Sequence, residues 1–284
     1  MRLGIFAKTF PGSRPAEVFL QVREAGFREV QYNLACSGLS SMPLEISSQA
    51  LDEIVLASKA HGLALAAVSG TYNMIHPDVA VRKDGHARLE VLAAACRNMG
   101  TNLITLCTGT RDAQDQWKEH PDNNSPEAWA DLLQAMQTAI DIAEKHEVYL
   151  GIEPELANVV NSAAKARKLI DTLQSDRIKI ILDPANLFEV ATLAEQRDTV
   201  TSAIALLADR IIMGHAKDRY ADGRFATAGQ GVLDYPHYLS QLKANGFSGS
   251  LVAHGLPASE AAGVSAFLRE TCGKLGIQIE ETPA

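Results

Sequence analysis

Four short apolar runs in this 284-residue chain end in a residue able to hold a metal or move a proton. The run 148–153 ends in Glu153, 178–183 in Asp183, 210–215 in His215 and 250–254 in His254. A carboxylate placed directly after a buried strand is costly unless it is paired, hydrogen-bonded or metal-bound. Taken singly, Glu153 reads as a salt-bridge partner, Asp183 as a helix cap before Pro184, and each histidine as a satisfied core residue. Four in succession, each at the carboxyl end of its run, read as one shared centre. Carboxylates mixed with imidazoles suit Mn²⁺, Zn²⁺, Co²⁺ or Fe²⁺, whereas an all-oxygen set would suit Mg²⁺. The expectation is one divalent metal ion, with Mn²⁺ the first choice, on Glu153, Asp183, His215 and His254.

Elements must bring those four ends together. Strand-like runs begin near Arg2, Glu29, Leu63, Asn102, Val148, Arg177, Arg210 and Ser250, and helical periodicity fills the gaps between them. The longest stripe, Trp129, Leu132, Leu133, Met136, Ile140 and Ala143, repeats at three and four residues. Glycines after Ala25, His61, Met99 and Asn245 mark helix ends. Eight strands alternating with eight helices, with no Pro/Ser-rich linker, predict an α/β fold: a single (β/α)8 TIM barrel domain spanning residues 1–284. An open doubly wound sheet is disfavoured, because Gly4-Ile5-Phe6-Ala7-Lys8 lacks the glycine-rich phosphate fingerprint. In a barrel, carboxyl-terminal strand ends line the face where chemistry is done. The polar stretch 108–125, after the fourth strand, reads as a lid over that face.

Composition excludes some functions. Net charge is −8 and no Lys/Arg cluster occurs, so nucleic-acid binding is not expected. No apolar run approaches the roughly 18 residues of a membrane span, and the N-terminus lacks the layout of a signal peptide. Cys36, Cys96, Cys107 and Cys272 form no CxxC pair and read as free thiols, which with the rest suggests a cytoplasmic protein.

The motifs Gly151-Ile152-Glu153-Pro154-Glu155, Leu182-Asp183-Pro184-Ala185-Asn186, Gly214-His215-Ala216-Lys217-Asp218, Gly229-Gln230-Gly231 with Asp234, and Asn245-Gly246-Phe247-Ser248-Gly249 follow one another along the chain. In this order they resemble the sugar phosphate isomerase/epimerase superfamily, the xylose-isomerase-like TIM barrels that include ketose 3-epimerases and inosose dehydratases. That resemblance covers nearly the whole chain. It implies a divalent ion held by a Glu, an Asp, a His and a second Glu; the first three fall on Glu153, Asp183 and His215. His254 stands where the family has its last Glu. An imidazole there can still coordinate but cannot serve as the same carboxylate base.

The resemblance implies a metal-dependent isomerase or epimerase of a small sugar, keto-sugar or polyol derivative. Glu153 would abstract a proton beside a carbonyl to give a metal-stabilised enediolate, with His254 as the second acid/base. An inosose-type dehydratase is the nearest alternative, followed by an abasic-site endonuclease and a non-catalytic carbohydrate-binding relic. Among neighbouring residues, Lys217 and Arg219 are candidates for binding anionic or developing negative charge, Asn186 for a hydroxyl, and His76 and Trp117 for substrate contacts from the loops. Barrels of this family commonly pair, so homo-oligomerisation is left open.

Overall fold

A computed structural model describes residues 1–281. Eight parallel strands close into a barrel: β1 (Arg2–Phe6), β2 (Glu29–Tyr32), β3 (Ala64–Ser69), β4 (Leu103–Cys107), β5 (Tyr149–Glu153), β6 (Ile178–Leu182), β7 (Ile211–Ala216) and a last strand, Ser250–Ala253. Each strand pairs with its sequence neighbour, and Arg2 opposite Ser250 seals the ring. Helices α1 (Pro15–Glu24), α2 (Ser48–His61), α3 (Val79–Cys96), α4 (Pro126–His146), α5 (Ala163–Leu173), α6 (Leu193–Leu207), α7 (Tyr235–Ala244) and α8 (Ala261–Lys274) follow the strands in turn. This is the (β/α)8 TIM barrel expected from the alternation of periods. None of the described helices is long and apolar enough to cross a membrane.

Local chemistry sets the element ends. Ser125 caps α4 by accepting from the Ala128 N–H at 3.0 Å, with Pro126 at the first helical position. Thr192 and Glu195 form a reciprocal capping box on α6. Gly62 ends α2 in the left-handed region, at φ 59°.

Side chains alternate across each strand, so one parity faces the helices and the other fills the barrel. On β5, Leu150 and Ile152 pack outward, while Tyr149, Gly151 and Glu153 share the inner parity. A Cβ on Gly151 would lie 2.6 Å from Ile181 Cδ1, so glycine makes room there for the neighbouring strand's side chain. Ala67, Leu103, Ile181, Met213 and Val252 form a small inner core, separate from the larger one between barrel and helices. Below that layer, buried Glu29 takes the Ser250 hydroxyl and lies 3.3 Å from Arg2 Nε, closing the floor. Above it opens the carboxyl-terminal mouth. The chain thus builds a packed plug beneath a polar ring.

Candidate metal centre and substrate cavity

The same parity carries upward into the mouth. Two residues beyond Gly151 stands Glu153, beyond Ile181 stands Asp183, beyond Met213 stands His215, and beyond Val252 stands His254. One ligand atom each from Glu153, Asp183 and His215 converge to within 4.8 Å of one another. His215 Nδ1 lies 3.4 Å from Glu153 Oε1 and 3.8 Å from Asp183 Oδ2. The two oxygens of Asp183 divide their tasks. Oδ1 accepts from the Ala185 N–H at 2.9 Å, capping the short 3₁₀ turn Pro184–Asn186, while Oδ2 is buried without a hydrogen-bond partner.

A residue not singled out from the sequence orients the imidazole. Gln31, on β2, donates its amide N–H to Thr105 Oγ1 at 3.1 Å, which leaves Oε1 facing His215 Nε2 at 2.9 Å. Oε1 can only accept, so Nε2 carries the hydrogen and Nδ1 presents a lone pair when the ring is neutral. That lone pair then faces two carboxylates. Three acceptors converge with nothing of their own to share, and Asp183 Oδ2 and His215 Nδ1 are orphaned buried atoms. Such an arrangement repels itself unless a proton or a cation sits between the groups, so this donor set fits a divalent ion. The titration behaviour agrees. Burial alone would push the His215 imidazolium down, but Glu153 and Asp183 outweigh it and raise its pKa to about 9. Burial would likewise raise Glu153 and Asp183, yet His215 holds both below the usual carboxylate range.

The expected fourth ligand, His254, does not join this set. Its ring lies sandwiched between Phe6, at 4.9 Å and 24°, and His215, at 5.1 Å and 17°. Parallel stacking of His254 and His215 presents faces to one another rather than converging lone pairs, and His254 Nδ1 is buried without a partner. Burial, reinforced by the charge on His215, lowers the His254 pKa to about 4, so the ring is neutral around pH 7.

A cavity of about 510 Å³ opens beside the three converging groups, with Glu153 in its wall. Glu153, Asn186, Lys217, His254 and Trp117 line it. Asn186 donates Nδ2–H to Glu153 Oε1 at 2.7 Å and accepts from Lys217 Nζ at 3.3 Å. Lys217 Nζ also lies 4.0 Å from Asp183 Oδ2 and 3.4 Å from the Phe225 ring centroid. Phe225 belongs to a two-stranded hairpin, Asp218–Arg219 with Phe225–Ala226, that the sequence reading did not anticipate. Cys107 and Glu155 add a second pair to the wall, Sγ and Oε2 being 3.8 Å apart. Burial and the nearby Glu153 raise Glu155 to about 7, while burial pushes the Cys107 thiol well up and keeps it neutral.

Two other expected substrate contacts are placed differently. Arg219 is buried away from the cavity: its guanidinium donates to the carbonyls of Ala185 (2.6 Å) and Gly223, behind Phe225. It is a brace for the loops after β6 and β7. His76 lies outside the inner cavity, with Nδ1 accepting from the Asp78 N–H and Nε2 facing the Ala113 carbonyl at 3.2 Å. Nδ1 is spent within its own loop, and Nε2 ties that loop to the one after β4. Gln31 stands in no motif and is legible only through the inner parity of its strand, whereas Glu155 lies two residues beyond the end of β5, inside the Gly151–Glu155 motif, where nothing in the pattern gives it a role of its own.

A family model described as xylose isomerase-like TIM barrel matches residues 19–270. Among solved structures, 3-keto-D-glucoside 4-epimerase from E. coli is 19% identical, covering 95% of this chain and 99% of its own, at a TM-score of 0.75. The D-psicose 3-epimerase from Clostridium cellulolyticum, solved with D-tagatose, is 16% identical over 95% of this chain and 99% of its own, at 0.72. The IolI protein, solved with a bound zinc atom, is 17% identical over 96% and 99%, at 0.73. A search of the curated proteins finds no match.

Proposed function

Since the chain belongs to the xylose isomerase-like TIM barrel family, we propose that it is a divalent-metal-dependent isomerase or epimerase of a small sugar, keto-sugar or polyol derivative. The observation that carries this reading is the convergence of Glu153, Asp183 and the Nδ1 of His215 beside a polar cavity. The sugar epimerases among its structural relatives support it. A divalent ion held by those three residues would polarise a substrate carbonyl and acidify the C–H beside it. Mn²⁺ remains the first choice on the mixed donor set.

Glu153 removes that proton. Its Oε1 is held by Asn186, whereas Oε2 has no hydrogen bond among the described residues and remains available to substrate. Lys217 places a cation on the cavity wall to face the negative charge that develops on oxygen as the proton leaves. Asn186 fixes both groups at once, and its position between them couples base to cation. Glu155, raised to about 7 in the metal-free protein by burial and by the nearby Glu153, lines the same cavity and is placed to hold a proton and return it.

Glu153 and Glu155 come from one side of the barrel. His254, three strands further round, is neutral and stacked, and with a pKa of about 4 it is a poor proton donor at neutral pH. The acid/base groups are therefore one-sided, which favours proton transfer on a single face, as in aldose–ketose isomerisation, over inversion. The test is solvent exchange. Incubated with Mn²⁺ and ketoses in D₂O, the protein should place deuterium on the carbon beside the carbonyl, visible by NMR, and Glu153→Gln should lose the exchange. A metal-loaded protein that exchanges no ketose or aldose proton would overturn the reading.

A further inference from the structure

The inner cavity is not closed on its outer side. A second cavity of about 660 Å³ lies between the loops after β2, β3 and β4 and the first turns of α3. The two share Ser41, Thr71, Gln116 and Trp117 in their walls, so they form one cleft with a waist at those residues. The inner part alone falls within the roughly 300–1,000 Å³ of an ordinary small-ligand site, and the pair exceeds that range. Trp117, with half its surface exposed, presents an indole at the waist.

The outer walls are preformed. Arg88 donates to Asp84 Oδ2 at 2.6 Å and to the Met42 carbonyl at 2.7 Å, joining α3 to the loop after β2. Asn73 donates to the Thr110 carbonyl at 2.8 Å and accepts the Thr110 N–H at 3.0 Å, joining the loops after β3 and β4. Lys118 is paired with Asp112 at 3.1 Å. The cations near this cavity are thus already matched with anions. The side chains of Ser41, Gln114 and Gln116, by contrast, make no hydrogen bond among the described residues. Neutral donor–acceptor groups beside a flat aromatic face suit an uncharged ring bearing hydroxyls, and they give a phosphate or carboxylate nothing to pair with.

We propose that this cleft binds a glycoside, with the reacting sugar in the inner cavity and a second, uncharged sugar ring in the outer one, the linkage passing beside Trp117. The inference rests on the isomerase or epimerase reading, which places the reacting ring over Glu153.

The test compares D-fructose with two of its glycosides, lactulose and isomaltulose. These carry the second ring on O4 and O6 respectively and leave the carbonyl end free. Calorimetry on the Mn²⁺-loaded full chain should find at least one glycoside binding about 10-fold more tightly than D-fructose, the scale of one aromatic contact plus a few hydrogen bonds. Val81→Trp, which fills the outer cavity from the exposed face of α3, should erase that difference and leave D-fructose affinity as it was, and Val81→Tyr should do the same with a smaller ring. D-fructose binding as tightly as, or more tightly than, both glycosides would overturn the two-ring proposal and leave the isomerase reading standing. A glycoside preference that survives both Val81 variants would also overturn it. No binding of any of the three sugars to the metal-loaded protein would overturn the parent reading, and the proposal with it.

Discussion

At the scale of residues, the centre depends on which atom faces which. Gln31 keeps the hydrogen of His215 on Nε2, and partners of this kind fix ligand tautomer and orientation. Gln31→Leu should therefore weaken Mn²⁺ binding by about 10–100-fold without unfolding the barrel, as read by calorimetry and circular dichroism. An unchanged affinity would mean that the imidazole needs no orienting partner. Asp183→Ala removes a carboxylate of the converging set, whereas His254→Ala removes a stacked ring. Asp183→Ala should thus lose far more metal affinity than His254→Ala, and equal losses would show that His254 swings into the ligand set. His254→Glu puts a carboxylate three strands from Glu153, so it should raise inversion relative to isomerisation in a product assay. The sequence made Glu153, Asp183 and His215 legible because each follows an apolar run that must end where the barrel ends. It did not reveal the stacking of His254, because the Phe6 ring that holds it comes from the first strand. Nor did it reveal Arg219's role, because its acceptors are backbone carbonyls that the residue pattern does not display.

At the scale of elements, strand parity does most of the positioning, and the loops finish the site. The stretch 108–125, the expected lid, is heavily tied at its base. Thr110 Oγ1 donates to the Lys118 carbonyl at 2.8 Å, the Arg111 N–H donates to Asn123 Oδ1 at 2.8 Å, and the Arg111 guanidinium reaches Asp131 at 2.6 Å. The tip at residues 114–117, where Trp117 sits, is held by short bonds within its own loop, the Gln114 and Asp115 N–H groups to Asp112 and the Trp117 N–H to Asp115. Hydrogen exchange should therefore slow at the tip when a ketose binds to the Mn²⁺-loaded protein, while residues 108–112 are protected throughout. A tip whose exchange is the same with and without sugar would contradict a covering role. The eight barrel strands were legible as apolar runs. The Asp218–Arg219 and Phe225–Ala226 hairpin was not, because two-residue strands carry no periodicity to read.

At the scale of the whole molecule, the three converging groups tie stability to pH. In the metal-free protein His215 is raised from its ordinary 6.5 to about 9, so the stability it contributes is complete below about 6.5 and is lost as pH rises through 9. Glu153 and Asp183 are lowered, so their contribution is present above their ordinary values of 4.5 and 3.8 and is lost as pH falls. An ion bound at the site replaces the His215 proton, so metal binding should release a proton near neutral pH and tighten as pH approaches 9. Thermal unfolding in EDTA should accordingly show Tm falling between pH 6.5 and 9, with the gap to the Mn²⁺-loaded protein widening over the same interval. A constant gap would mean that metal and proton do not compete for Nδ1. The account stands most directly on where the metal goes. Anomalous diffraction at the manganese edge, from crystals soaked in Mn²⁺, should give a peak bonded to Glu153, Asp183 and His215 Nδ1, lost in Asp183→Ala. Density confined to surface carboxylates, with His215 Nδ1 still facing Glu153 and Asp183 alone, would contradict it.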